Sequence, residues 1–271
     1  MWESLALYLV CGVLAGLSAG LLGVGGGIVI VPFMVWQLPR EGVPDRLVML
    51  IAVATSLAVI VVTSLSSAYA HHRRGAIRWE VVRRLVPGIL MGSLAGAVVA
   101  KYLPTPLFKM LFGLFLMTVA WRMTLHRPPS SRSAASTGAT GGAWVVAGTL
   151  IGFASSVLGI GGGTLSVPYL LKCGFPIRNA VATSSVGGFP IAFAGTLTYL
   201  ALGWREPGLP DANAGYISIP AFLAIAALSV PSAPVGAWLA HHLPSGRLRV
   251  GFAVILAVIG LRLSWQGFST W

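Results

Sequence analysis

The chain has 271 residues, 56% of them hydrophobic and only 9% charged, with a formal net charge of +12. An ordinary soluble domain carries about 25% charged residues, so a water-soluble surface is excluded and a polytopic α-helical membrane protein is expected. The basic residues collect at the ends of apolar runs rather than along one face, which argues against nucleic acid as a partner and makes them signals of orientation in a lipid bilayer.

Residues 5–36 are apolar throughout. One straight helix of that length would measure roughly 48 Å against a hydrocarbon core of ~30 Å, so the run must break. The break lies in LLGVGGGIVIVPF, where Gly23, Gly25, Gly26 and Gly27 precede Pro32. Consecutive glycines are costly inside a helix. The piece beyond, 28–37, makes about 15 Å of helix, half a membrane, and suits a re-entrant segment. Spans follow over 47–69, 86–102 and 107–125. The first carries the block AVATS with Thr55 and Ser56. The second has Gly88, Gly92 and Gly96 at a four-residue spacing that lets helices approach closely. Residues 126–142 are a polar Ser/Gly/Pro-rich linker, placed in the cytoplasm.

The pattern then restarts. VLGIGGGTLSVPY repeats the glycine motif 136 residues on, with Gly159, Gly161, Gly162 and Gly163 before Pro168. It lies in a broken segment, 143–171, followed by spans 180–202, 217–239 and 248–265, with a polar loop at 203–215. AVATS recurs at 180–184, an offset of 128, and Pro104, Lys109, Phe112 and Arg122 match Pro244, Arg249, Phe252 and Arg262 at an offset of 140. The chain is thus expected to hold two membrane repeats, 1–125 and 143–271. Each has four helical units, the first of them broken at a GxGGG re-entrant hairpin. Loop charge sets the hand. If each broken segment returns to the side it left, twelve of the eighteen basic residues fall inside and five of the six acids outside. The repeats are then inverted and both termini extracytoplasmic.

Two sets of residues are candidates for binding. The first surrounds the restarts of helix after each glycine run: Gly25, Gly26, Gly27 and Ile28, with Gly161, Gly162, Gly163 and Thr164. A helix that begins inside a membrane presents unpaired N–H groups and a positive dipole end, which together favour an anion. The alternative is that the glycines serve tight packing alone. The second set is the hydroxyls of the repeated block, Thr55, Ser56, Thr183, Ser184 and Ser185, which are able to donate to an oxyanion or to bond the carbonyl a turn back. Pro32 and Pro168 are read as structural. Lys101, Lys109, Arg122, Arg249 and Arg262 lie near span ends, where snorkelling to the interface accounts for them. No metal-ligand spacing, nucleotide motif or intramembrane carboxylate is present, so neither a cofactor nor an enzyme activity is expected.

Paired GxGGG-xxxx-P segments, each followed by a span containing ATS and a glycine after that span, resemble the sulfite exporter TauE/SafE family. The resemblance covers both halves and rests on Gly23, Gly25, Gly26, Gly27, Pro32, Thr55 and Ser56, with Gly159, Gly161, Gly162, Gly163, Pro168, Thr183 and Ser184. It implies transport of a small sulfur-containing anion, such as sulfite or a sulfonate, across a bacterial-type inner membrane. The expected function is a secondary transporter working by alternating access, with a coupling ion such as a proton needed for uptake. An anion channel, or a membrane-embedded enzyme of sulfur or lipid metabolism, is the alternative.

Overall fold

The structure is a computed structural model and describes residues 2–22, 26–125, 141–242 and 245–269. Gly25 and most of the linker lie outside these residues. Ten helices carry the described chain: α1 (Trp2–Leu22), α2 (Gly27–Gln37), α3 (Asp45–Arg73), α4 (Trp79–Tyr102), α5 (Thr105–Leu125), α6 (Gly141–Leu158), α7 (Gly163–Lys172), α8 (Ile177–Gly203), α9 (Ile219–His242) and α10 (Ser245–Ser269). Five of them (α1, α3, α4, α5 and α8) are long and apolar enough to cross a membrane. The protein is an all-α, multi-pass membrane protein.

Both predicted breaks are present. α1 ends at Leu22 and α2 starts at Gly27, while α6 ends at Leu158 and α7 starts at Gly163. The restarts are short, 11 and 10 residues, and each carries its proline six residues in. Proline withholds an N–H and frees the carbonyl four residues back, which limits how far such a helix extends.

α2 runs back along α1 in a constant antiparallel register. A β-carbon at Gly26 would meet Ala15, Tyr8 packs edge-on against Phe33 with ring centroids 6.0 Å apart, and Gln37 Nε2 donates to Ser4 Oγ at 3.3 Å. The end of α2 therefore lies beside the start of α1. In the second half Trp144, near the start of α6, packs on Tyr169 of α7 and on Phe175 just beyond it, at 5.7 and 6.3 Å.

The long helices pair across the two halves rather than within them. α3 and α8 are antiparallel. Their register is marked by Arg46 with Glu206, Leu57 with Gly195, Ser64 with Gly188, and Arg178 with the carbonyl of Arg74. α4 and α6 run parallel: Gly88, Gly92 and Gly96 meet the backbone at Val145, Thr149 and Phe153, and Gly148 and Gly152 return the contact at Leu85 and Ile89. α1 and α9 repeat this parallel arrangement through Gly12 at Ile225 and Gly16 at Ser229. α5 and α10 are antiparallel through Gly113 with Gly260 and Pro106 with Gly267. Exchange of α1 for α6, α3 for α8, α4 for α9 and α5 for α10 maps this set of pairings onto itself.

Two features were not foreseen. The polar loop before α9 contains a two-residue antiparallel ladder, Asn213–Ala214 with Ile217–Ser218, too short to leave a period in the sequence. Lys109 is buried rather than snorkelling, its Nζ donating to Asp45 Oδ1 at 2.7 Å.

The glycine stripe of α4 meets backbone rather than side-chain ends, so an added side chain cannot be accommodated by a rotamer change. Gly92→Val should lower stability by about 1–3 kcal/mol, the usual cost of overpacking. Thermal unfolding of the detergent-purified variant checks this, and a melting temperature equal to the wild type would contradict the α4–α6 contact.

Candidate functional site

The two glycine breaks meet each other. A β-carbon at Gly27 would collide with the carbonyl oxygen of Gly159 and lie 3.0 Å from Ile160 Cα and from Ser56 Oγ. Gly159 has φ +64, a left-handed turn that glycine adopts without strain. A β-carbon there would lie 2.9 Å from Val53 Cα. Ser56 Oγ donates to the Gly159 carbonyl at 2.7 Å. The second break is thereby seated between α2 and α3 of the first half. Ile28, the first residue beyond Gly27, is buried there.

The repeated threonines make one interaction twice. Thr55 Oγ1 accepts the N–H of Ser218 at 3.0 Å, and Thr183 Oγ1 accepts the N–H of Arg78 at 3.1 Å. Each threonine thus holds the connection that leads into α4 or α9 of the opposite half. Asn179 adds to the second anchor by donating from Nδ2 to the Ala76 carbonyl at 2.8 Å. The threonine repetition was legible in the sequence; its acceptor role was not, because the donors come from another half.

The remaining hydroxyls divide into two groups. Ser185 donates to the Val181 carbonyl at 2.9 Å, and Thr164 faces the Gly161 carbonyl at 3.5 Å, the local back-bonding open to any helical serine or threonine. Ser184 Oγ and Ser166 Oγ are buried with no hydrogen-bond partner, as are Ser155 Oγ, Ser156 Oγ and Thr196 Oγ1. A buried polar group left without a partner costs about 1–3 kcal/mol. All five lie in α6, α7 and α8. At the start of α7, the Gly162 carbonyl accepts the N–H groups of Leu165 and Ser166. Among the described residues no acceptor takes the N–H of Gly161, Gly162 or Gly163. Ser166 did not stand out in the sequence. Its signal was a polar difference between the two glycine motifs, serine where the first copy has Ile30, two residues after Thr164 replaces Ile28.

Charged groups gather at the end of the bundle where α3 begins and α8 ends. Arg46 Nη1 pairs with Glu206 Oε1 at 3.0 Å, Lys101 Nζ lies 3.5 Å from Oε2, and the Tyr216 hydroxyl donates to Oε2 at 3.0 Å. Burial alone would raise the Glu206 pKa. The hydrogen bonds from Tyr216 and Arg46 and the charge of Lys101 outweigh it and hold the carboxyl below its usual range. Burial and the neighbouring Glu206 carboxylate push the Tyr216 phenol up. Arg46 and Lys101 belong to the first half and Glu206 to the second, so this cluster also ties the halves together. Among the described residues no group of three His, Cys, Asp or Glu side chains is placed to hold a metal.

The sulfite exporter TauE/SafE family profile matches residues 8–263. The chain belongs to the TauE/SafE family. Among its relatives, a probable membrane transporter protein of Haemophilus influenzae is 36% identical over 263 residues, covering 97% of this chain and 99% of the relative. A probable membrane transporter protein of Methanocaldococcus jannaschii is 29% identical over 259 residues, covering 95% and 94%. One of Bacillus subtilis is 26% identical over 286 residues, covering 97% and 98%. No solved structure matches the chain. This TauE/SafE protein is a membrane transporter and not an enzyme.

Two outcomes follow from these contacts. Thr55→Val orphans the buried N–H of Ser218 and should cost about 1–3 kcal/mol; Thr183→Val removes the part-buried bond to the N–H of the exposed Arg78 and should cost less; chemical or thermal unfolding of each variant measures both. Glu206 has its pKa depressed in the folded state. Its contribution to stability is therefore present above the ordinary carboxylate pKa of about 4.3 and is lost as pH falls through the depressed value. Glu206→Gln should be less stable than wild type at neutral pH, with the difference shrinking in acid. A difference independent of pH would show that the ion cluster does not carry it.

Proposed function

We propose that the protein moves a small sulfur-containing anion, of the sulfite or organosulfonate class, across the inner membrane by alternating access. The observation that carries this reading is the meeting of the two glycine breaks, with Gly27 against Gly159 and Ile160. Helices restarted inside an apolar slab are tolerated where they line a binding cavity. Their N-terminal N–H groups attract anions.

The halves 1–125 and 143–271, joined by the linker 126–142, form inverted repeats in this proposal. The antiparallel register of α3 with α8 supports the inversion, and the return of α2 along α1 supports a re-entrant hairpin. The most basic connection, between α3 and α4, then lies in the cytoplasm with the linker. The Glu206 cluster and both termini lie outside. An anion leaving the cell runs down an inside-negative potential, worth about 2.3 kcal/mol per charge per 100 mV. Uptake draws instead on a coupling ion such as a proton.

Reconstituted vesicles test the function. Labelled sulfite or methanesulfonate should enter with a rate that saturates, and an imposed membrane potential should bias its direction. Conductance that rises without saturation would make the protein a channel. For the orientation, a reporter fused to the C-terminus should read as extracytoplasmic; a cytoplasmic signal overturns the inverted hairpin arrangement.

A further inference from the structure

The sequence repeat makes the two halves look equivalent, but the contacts around their breaks are not. The geometry points to a single anion site built by the second half, between the start of α7 and the middle of α8, that takes a singly charged oxyanion. This rests on the transporter reading above and narrows it.

Four positions define the site. Ser166 lies one turn into α7 and Ser184 one turn before the glycine pair Gly187 and Gly188 in α8. Both serine hydroxyls are buried, at 2% and 3% exposure, and neither has a partner. Other helical serines and threonines of the same elements do bond back to their own helix, as Ser185 and Thr198 do at 2.9 and 2.8 Å, so local back-bonding was open to them.

Gly187 and Gly188 are buried too, yet they leave room. A β-carbon at Gly187 would find only Ile89 Cδ1, at 3.6 Å. One at Gly188 would lie 3.7 Å from Ser64 Cβ and 4.0 Å from the backbone nitrogen of Gly162. The glycines of the packing stripes, by contrast, have no space for a methyl group. The gap at Gly188 thus faces the N-terminal end of α7. There the N–H groups of Gly161, Gly162 and Gly163 have no acceptor among the described residues. The unpartnered N–H groups, the gap at Gly188 and Ser166 Oγ, which lies 3.2 Å from where a β-carbon at Gly162 would stand, fall on one place, and Ser184 sits one turn before that gap on the same helix.

The first half keeps the helix restart, with the Gly26 carbonyl accepting from Val29 and Ile30, but lacks the unpartnered serines and the glycine pair. At the offsets of the repeat, Ile30 stands for Ser166, Ser56 for Ser184, and Val59 and Ile60 for Gly187 and Gly188. Ile30, Val59 and Ile60 are buried and fill their positions. Ser56 is engaged with the Gly159 carbonyl. The first break therefore supports the second, and the second holds the ligand.

The donors decide the charge of the ligand. All are neutral: hydroxyls, N–H groups and a helix end equivalent to about half an elementary charge. No lysine or arginine bonds to Ser166 or Ser184. The cost of stripping water from an ion rises with the square of its charge in a Born description. A neutral cradle of this kind suits a monoanion with a compact oxygen head, such as an alkanesulfonate or hydrogen sulfite. A dianion such as sulfate calls for a counter-charge.

Ligand-induced thermal shifts and calorimetric titration of the purified full chain test this, at neutral pH and constant ionic strength, with methanesulfonate and sulfate as probes. Methanesulfonate should bind the wild type and sulfate should not. Ser166→Ala and Ser184→Ala should each weaken methanesulfonate about tenfold or more, the loss of one hydrogen bond to a charged group. Gly188→Ala should keep the ligand-free melting temperature, since the methyl group fits, and lose the methanesulfonate shift. If Ser184→Ala fails to accumulate, Gly188→Ala decides alone. Wild-type affinity in Gly188→Ala, or in both serine variants, overturns the second-half site. Sulfate binding as tightly as methanesulfonate overturns the single-charge assignment. A wild type that responds to a dianion but to no singly charged oxyanion overturns this inference and leaves anion transport standing; one that responds to no anion removes both.

Discussion

Inside a hydrocarbon slab a broken helix must find partners for the backbone groups that the break releases. This chain makes two breaks and brings them together. Ser56 satisfies the Gly159 carbonyl, and glycine at 27 and 159 removes the side chains that would keep the two segments apart. Much else in the fold follows from that junction. Thr55, next to Ser56, fixes the start of α9, and α8 lies antiparallel on the same helix that carries both residues. The helices around the junction are then held by close backbone contact along glycine stripes, a mode of packing that does not depend on water.

A repeated set of helix contacts is compatible with the single site we propose. The threonine anchors, the glycine stripes and the parallel pairing (α1 with α9, α4 with α6) occur in twos, and each holds a helix in place. The residues that differ between the copies, Ile30, Val59 and Ile60 in one and Ser166, Gly187 and Gly188 in the other, carry none of these anchors.

The breaks and most helix ends were legible because length arithmetic and consecutive glycines leave few alternatives. The stripe at Gly88, Gly92 and Gly96 was legible as a packing face, but not its partner. Nothing in the local sequence of α4 names α6, because glycine spacing says that a helix approaches and is silent on which one. Lys109 shows the same limit with charge: its partner Asp45 lies 64 residues away. Thr55 and Thr183 were visible as a repeated block, yet a hydroxyl both donates and accepts, and only the folded chain shows an incoming N–H from the other half. The distinction between Ser184 and Ser185, neighbours in sequence, is likewise a matter of which side of α8 each faces.

The pairing of every long helix with one from the other half has a consequence for how the protein is made. α1 leaves the ribosome with Gly12 and Gly16 prepared for α9, whose contact residues Ile225 and Ser229 are synthesised some two hundred residues later. α4 similarly precedes α6, with the linker still to come. Such contacts between distant parts of a chain form late. The early helices must therefore rest in the bilayer with their glycine faces covered by lipid or by the insertion machinery. The first half is an incomplete object until the second arrives, and insertion and folding are separate events in time.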